Sequence, residues 1–292
     1  MSLIEAIFMG IIQGLTEFLP VSSSGHLAIF KNIFEVNTDT GILFDILLHL
    51  GTLVAVFVVY HKDIFRMIAE GVGLIGDACC NIGVFFQNRG RKKKIPYRKV
   101  IRNGYRKFDM LVIVSTIPTA VIGYVAQDLV EAASELLFIP GICLIVTAVL
   151  LFISDRIKDG NKTPKNVTYT NAFAIGICQG VATLPGLSRS GTTIAACVIS
   201  GFDRNFAVKY SFIMSIPAIL GAAVLQLKDI GSIQVTAPEV GYYIVGTVIA
   251  ALVGFICMKT LLVIVRKKKF TYFAIYCLLV GAVSIGGYFI LA

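Results

Sequence analysis

A chain of 292 residues that is 57% hydrophobic, with a mean hydropathy of +0.83 and only 15% charged residues, is not an ordinary soluble domain, which carries about a quarter. The net charge of +9 gathers in Arg89–Lys107, Arg156–Lys165 and Arg266–Lys269, between apolar runs. That placement fits Lys and Arg retained on the cytoplasmic side of a membrane better than a nucleic-acid surface. The seven cysteines show no CxxC and no Cys/His ligand spacing, which argues against a cysteine-based metal site.

A spanning helix needs about 20 mostly apolar residues. Residues 3–12 and 27–34 are each too short, and a polar stretch, Gln13–His26, separates them. Two half-length helices around a polar turn predict a re-entrant hairpin over 3–34, tolerated at membrane depth only inside protein or beside a water-filled cavity. Glu5 and Glu17 interrupt the apolar start, which lacks a basic segment, so no cleavable signal peptide is expected. A span follows at about 42–60. Residues 61–108 read as a basic cytoplasmic insertion, in which Ile64, Phe65, Ile68, Val72 and Ile75 line one face of an interfacial helix. Spans at about 109–126 and 137–154 flank an acidic loop with Asp128, Glu131 and Glu135. A second short–polar–short unit, 171–203, then leads to spans at about 206–225, 240–258 and 270–291.

The fold class is therefore all-α and polytopic: one re-entrant hairpin plus three spans, written twice, over 1–155 and 156–292. A shift of 166 residues places Gly10 on Gly176, Gln13 on Gln179, Gly14 on Gly180, Ser22 on Ser188, Ser24 on Ser190 and Gly25 on Gly191. An odd number of spans per repeat makes the halves inverted, and such repeats place a site where broken helices meet. With all three basic clusters inside, the first hairpin and both termini face outward, and loop 227–239 is outside.

Several residues in the two polar stretches invite chemistry. Glu17 is either an intramembrane functional carboxylate or a hydrogen-bonded structural one. Gln13 lies one turn earlier on the same face. Ser22, Ser23 and Ser24 supply hydroxyls or helix caps, with Gly25 where the backbone turns tightly. His26 is a packed histidine or a proton carrier. Arg189 lies between Ser188 and Ser190, ahead of Gly191-Thr192-Thr193. Its planar fork suits a phosphate, and an ion pair with Glu17 is the other reading. Asp45 and His49 share a helix face and read as ordinary residues near the outer end of a span, with supporting or metal-linked groups as the other reading.

Gln13-x-x-x-Glu17, Leu19-Pro-Val-Ser-Ser-Ser-Gly-His26 and Pro185-Gly-Leu-Ser-Arg-Ser-Gly-Thr-Thr193 resemble the undecaprenyl-diphosphate phosphatase family of the bacitracin-resistance type, over nearly the whole chain. The resemblance implies a bacterial inner-membrane enzyme with its site facing outward. It would remove the terminal phosphate of the C55 isoprenoid diphosphate and so recycle the lipid carrier for peptidoglycan synthesis. Glu17, Ser23, His26 and Arg189 match the family's essential positions, and Gln13, Ser22, Ser24, Gly25, Ser188, Ser190 and Thr193 its pocket. Gln13 stands where many members have Glu, and Ser24 where many have Thr. Members respond to Mg²⁺ or Ca²⁺, but no metal ligand set is readable here. Ser23 is assigned as nucleophile, with Glu17 and His26 exchanging protons; His26 as nucleophile is the alternative. The rival class is a lipid-phosphate transporter, since inverted repeats with re-entrant hairpins are also a transporter architecture. The oligomeric state is open, with a dimer allowed.

Overall fold

The computed structural model describes residues 1–27, 41–134, 138–226 and 237–291. Their helices are α1 Leu3–Phe18, α2 Gly41–Asn88, α3 Gly104–Val125, α4 Gln127–Ser134, α5 Phe138–Arg156, α6 Tyr169–Val181, α7 Arg189–Ile199, α8 Arg204–Gln226, α9 Ala237–Arg266 and α10 Thr271–Leu291. α2, α3, α5, α8, α9 and α10 are long and apolar enough to cross a bilayer. α1, α6 and α7, at 16, 13 and 11 residues, fall short of the roughly 30 Å hydrocarbon core at about 1.5 Å per residue.

Side-chain caps set several helix starts. Ser2 forms a capping box with Glu5, Asn103 caps α3, Thr168 caps α6 and Ser188 caps α7. Each supplies an acceptor to first-turn N–H groups that have no partner within the helix.

The short helices pack crosswise between the halves. α1 lies against α9, and α6 against α3. Gly10 and Gly14 allow the first contact: a Cβ at Gly10 would stand 2.5 Å from Gly246 O, and one at Gly14 2.9 Å from Ala250 O. Gly180 serves the second in the same way, its Cβ falling 2.7 Å from Ile122 Cβ. Among apolar helices, association comes from such close backbone approach rather than from water release. α5 and α10 pack together in the same way, through Gly141 and Gly281.

Four expectations change. The first span does not end near residue 60: α2 runs on to Asn88, with one non-helical residue, Tyr60 (φ −106, ψ 19). Beyond the kink, residues 61–88 form a stem, and residues 95–103 return along it as a strap. The strap holds because Asn81 donates to Arg98 O (2.8 Å) and accepts from Arg98 N (2.7 Å), while Asn88 does the same with Ile95 (2.9 and 2.7 Å). Arg106 adds bonds to Glu70 (2.9 Å) and Asp77 (2.6 Å). Ile64 is buried in the main core rather than lying on an interfacial face. The segment after α3 is helical, as α4, and α9 reaches Arg266, eight residues beyond the expected span. The expected second arm of the first hairpin is helical over 23–27; its residues 28–34, Glu135 and loop residues 227–236 lie outside the described residues.

Candidate active site

The two polar stretches meet tip to tip. A Cβ at Gly25 would stand 3.3 Å from Gly186 Cα, and one at Gly191 3.1 Å from Pro20 Cβ. The first tip turns at Ser22, whose φ of 71 is unusual for a residue with a side chain. The second turns at Gly186 (φ +86), where only glycine fits against Pro140. These turns start two helical segments, at Ser23 and at Arg189, that point their first residues at one place.

Glu17 is the centre of that place. Its side chain is buried, and its Oε2 accepts from Ser23 Oγ (2.8 Å) and Gln13 Nε2 (3.0 Å). Its Oε1 pairs with Arg189 Nη2 across the two halves. His49 Nε2 stands 3.8 Å from Oε2. His49 Nδ1–H donates to Asp45 O (2.8 Å), which fixes the ring and leaves Nε2 aimed at the carboxylate. The other guanidinium N–H groups of Arg189 have no partner among the described residues.

A cavity of about 390 Å³ opens beside this cluster. Glu17, Ser22, Ser23, Ser24, His49, Ser188 and Arg189 line it at the tips. Much of the rest is apolar, from Ala120, Val130, Leu187, Pro217, Ile219 and Leu225. The space thus joins a cationic, hydroxyl-rich end to an apolar one, as a lipid carrying an anionic head requires.

Residues 6–283 match the family model described as bacitracin resistance protein BacA. The chain belongs to the BacA family. A protein of Desulforapulum autotrophicum named undecaprenyl-diphosphatase is 41% identical over 286 residues, covering 98% of both chains. Proteins of the same name from Methanobrevibacter smithii and Alkaliphilus metalliredigens are 40% and 39% identical over 288 and 285 residues, again covering 98% of both.

In this BacA-family chain the other expected residues support the cluster from behind. Gln13 is fully buried and reaches the cavity only through Glu17. Ser190 shares a hydrogen bond with Ser188 (3.3 Å), and Thr193 with Ser211 (2.5 Å), so both brace the start of α7. Gly25 N donates to Ser22 Oγ (3.4 Å) inside the tip contact. His26 is tied to the same tip. Its Nδ1–H donates to Ser22 O (2.8 Å), its Nε2 accepts from Tyr276 O–H (2.7 Å), and the two rings stack. Both ring nitrogens are thus engaged, and His26 is not among the residues that line the cavity. His49 is the imidazole that faces Glu17. Its signal was the spacing from Asp45, which gave no hint that the helix face met Glu17. Thr147, whose hydroxyl accepts from Ser188 N (3.0 Å), carried no signal.

Proposed function

We propose that the chain hydrolyses undecaprenyl diphosphate to undecaprenyl phosphate and inorganic phosphate, in a membrane, with the cavity taking the head and the first part of the tail. The observation that carries this is the 2.8 Å bond from Ser23 Oγ to a buried carboxylate whose other oxygen meets Arg189. A serine needs an adjacent base, and Glu17 is within reach of its proton. Glu17 takes that proton as Oγ attacks the terminal phosphorus. The bond from phosphorus to the bridging oxygen breaks, and its electron pair leaves on the lipid monophosphate. Water then attacks the phosphoserine, the serine oxygen leaves with a proton, and phosphate departs. Arg189 turns its free N–H groups to the equatorial oxygens, where charge neutralisation does most of the catalytic work. Ser22, Ser24 and Ser188 add hydroxyl donors, and the α7 N-terminus adds partial positive charge. His49 Nε2 carries protons to and from the attacking water. His26 positions the Ser22–Ser24 turn.

The donor set does not suit a protein-held divalent cation. Among the described residues no three His, Cys, Asp or Glu side chains converge on one point, and the oxygens of Glu17 are engaged by Arg189, Ser23 and Gln13. Mg²⁺ or Ca²⁺ therefore belongs with the diphosphate. The crosswise packing of α1 on α9 and α6 on α3 supports reading 1–155 and 156–292 as inverted halves, with the cavity facing outward and the basic loops inside. The Ser23–Glu17 bond favours hydrolysis over transport, because a carrier has no use for an activated hydroxyl.

Purified chain in detergent, with no second compartment, releases phosphate from the diphosphate. In a rapid quench with radiolabelled terminal phosphate, acid-stable label maps to Ser23, and Ser23→Ala lowers turnover at least about a thousandfold. Acid-labile label on His26, or no covalent label under single-turnover conditions, overturns the assignment.

A further inference from the structure

The stem, residues 61–88 of α2, has two unlike faces. One is used up by the strap and its neighbours: Asp63 binds Tyr105 (3.0 Å) and Lys209 (2.9 Å), and Asp77 and the two asparagines hold Arg106 and the strap backbone. The other carries Phe65, Ile68, Val72, Ile75, Ile82 and Phe86, each between 56% and 71% exposed. These positions recur at three- and four-residue steps, so they form one stripe. Exposed Ala69, Gly76, Cys79 and Gly83 fill the intervals, and no charged residue interrupts it. The stripe is about 33 Å long at about 1.5 Å per residue. At its far end Arg89 and Arg91–Lys94 are exposed and make no ion pair among the described residues.

We propose that the stem lies in the headgroup boundary of an anionic leaflet, stripe inward, with the Arg89–Lys94 tip against lipid phosphates. Charge decides the occupant. A lipid surface accepts the apolar stripe and the basic tip together, since apolar burial and attraction to anionic lipid act jointly on such helices. A second copy covering the stripe leaves the tip's charge unanswered. The break in helical geometry at Tyr60 provides the bend by which the stem leaves the axis of the span.

The chain contains no tryptophan, so Ile75→Trp in the full chain is a unique probe. In vesicles of phosphatidylcholine with phosphatidylglycerol, its emission is blue-shifted and quenched by lipids brominated near the headgroup end of the acyl chain. Changing Arg91, Lys92, Lys93 and Lys94 together to Gln, or raising salt, reduces that quenching by about half. Retained phosphate release shows that the variants fold. Solvent-like, unquenched emission in every lipid overturns the proposal. Quenching that ignores lipid charge removes the anionic assignment. Unquenched but buried emission, with Cys79 cross-linking between chains, gives the stripe to a second copy instead.

Discussion

At the residue scale the site turns on which imidazole does what. His26 Nε2 is occupied by the Tyr276 hydroxyl, whereas His49 Nε2 faces Glu17 with no nearer partner among the described residues. A positioning role and a proton-carrying role separate in a pH–rate profile. His26→Gln keeps an amide able to hold Ser22 O, so it retains activity within about tenfold, with the profile's pH dependence unchanged. His49→Gln removes the imidazole that faces the carboxylate, so it loses about tenfold to a hundredfold and one limb of the profile shifts or disappears. A limb lost in the His26 variant and kept in the His49 variant would reverse the two roles.

At the element scale the site depends on how closely α1 approaches α9. Glu17 is three residues beyond Gly14, so anything that lifts α1 moves the carboxylate away from Arg189 on the other half. Gly14→Leu forces a side chain against Ala250 O and Val253, at 2.9 and 2.8 Å from its Cβ. The expected cost is about 1–3 kcal/mol of stability, with a larger proportional loss of phosphate release. Gly287→Leu in α10 is the control: nothing lies within 4 Å of its Cβ, and leucine favours helix over glycine by roughly 0.5–1 kcal/mol. Thermal midpoints and turnover of the two variants decide the matter, and equal effects would mean that close packing is not what holds the carboxylate in place.

For the whole molecule, one clasp outside the spans ties the connection between the halves to the rest. Asp159 accepts from Lys268 Nζ (2.8 Å), in the α9–α10 turn, and from Arg204 Nε (2.7 Å), at the start of α8. Lys268 first, then Arg204, holds the Asp159 carboxyl below its usual range. A carboxyl lowered on folding stabilises fully above its unfolded value of about 3.9, and the contribution fades as pH falls through the folded value. Asp159→Asn therefore melts below the parent at pH 7, and the gap closes as the pH drops under the normal aspartate range. A gap of the same size in acid would show that the clasp is not its source.

Much of this protein was legible in the letters because membrane burial is a one-dimensional constraint. The length and hydropathy of the spans, the two segments too short to cross, and the matching Gly10/Gly14 and Gly176/Gly180 pairs follow from what a bilayer demands of any helix. Glu17, Ser23 and Arg189 were legible for the same reason, since polar groups at that depth need partners. What only the tertiary structure decided is which partner each group takes. Arg189 meets Glu17 because Gly186 and Gly191 bring one tip against the other. Tyr276, 250 residues along the chain, bonds His26, and the α2 face brings His49 toward Glu17. The stem's continuation past residue 60 was equally hidden: its polar face is satisfied by the strap at residues 95–103 and by Arg106 of α3, and such long-range pairing leaves no periodic trace in local sequence.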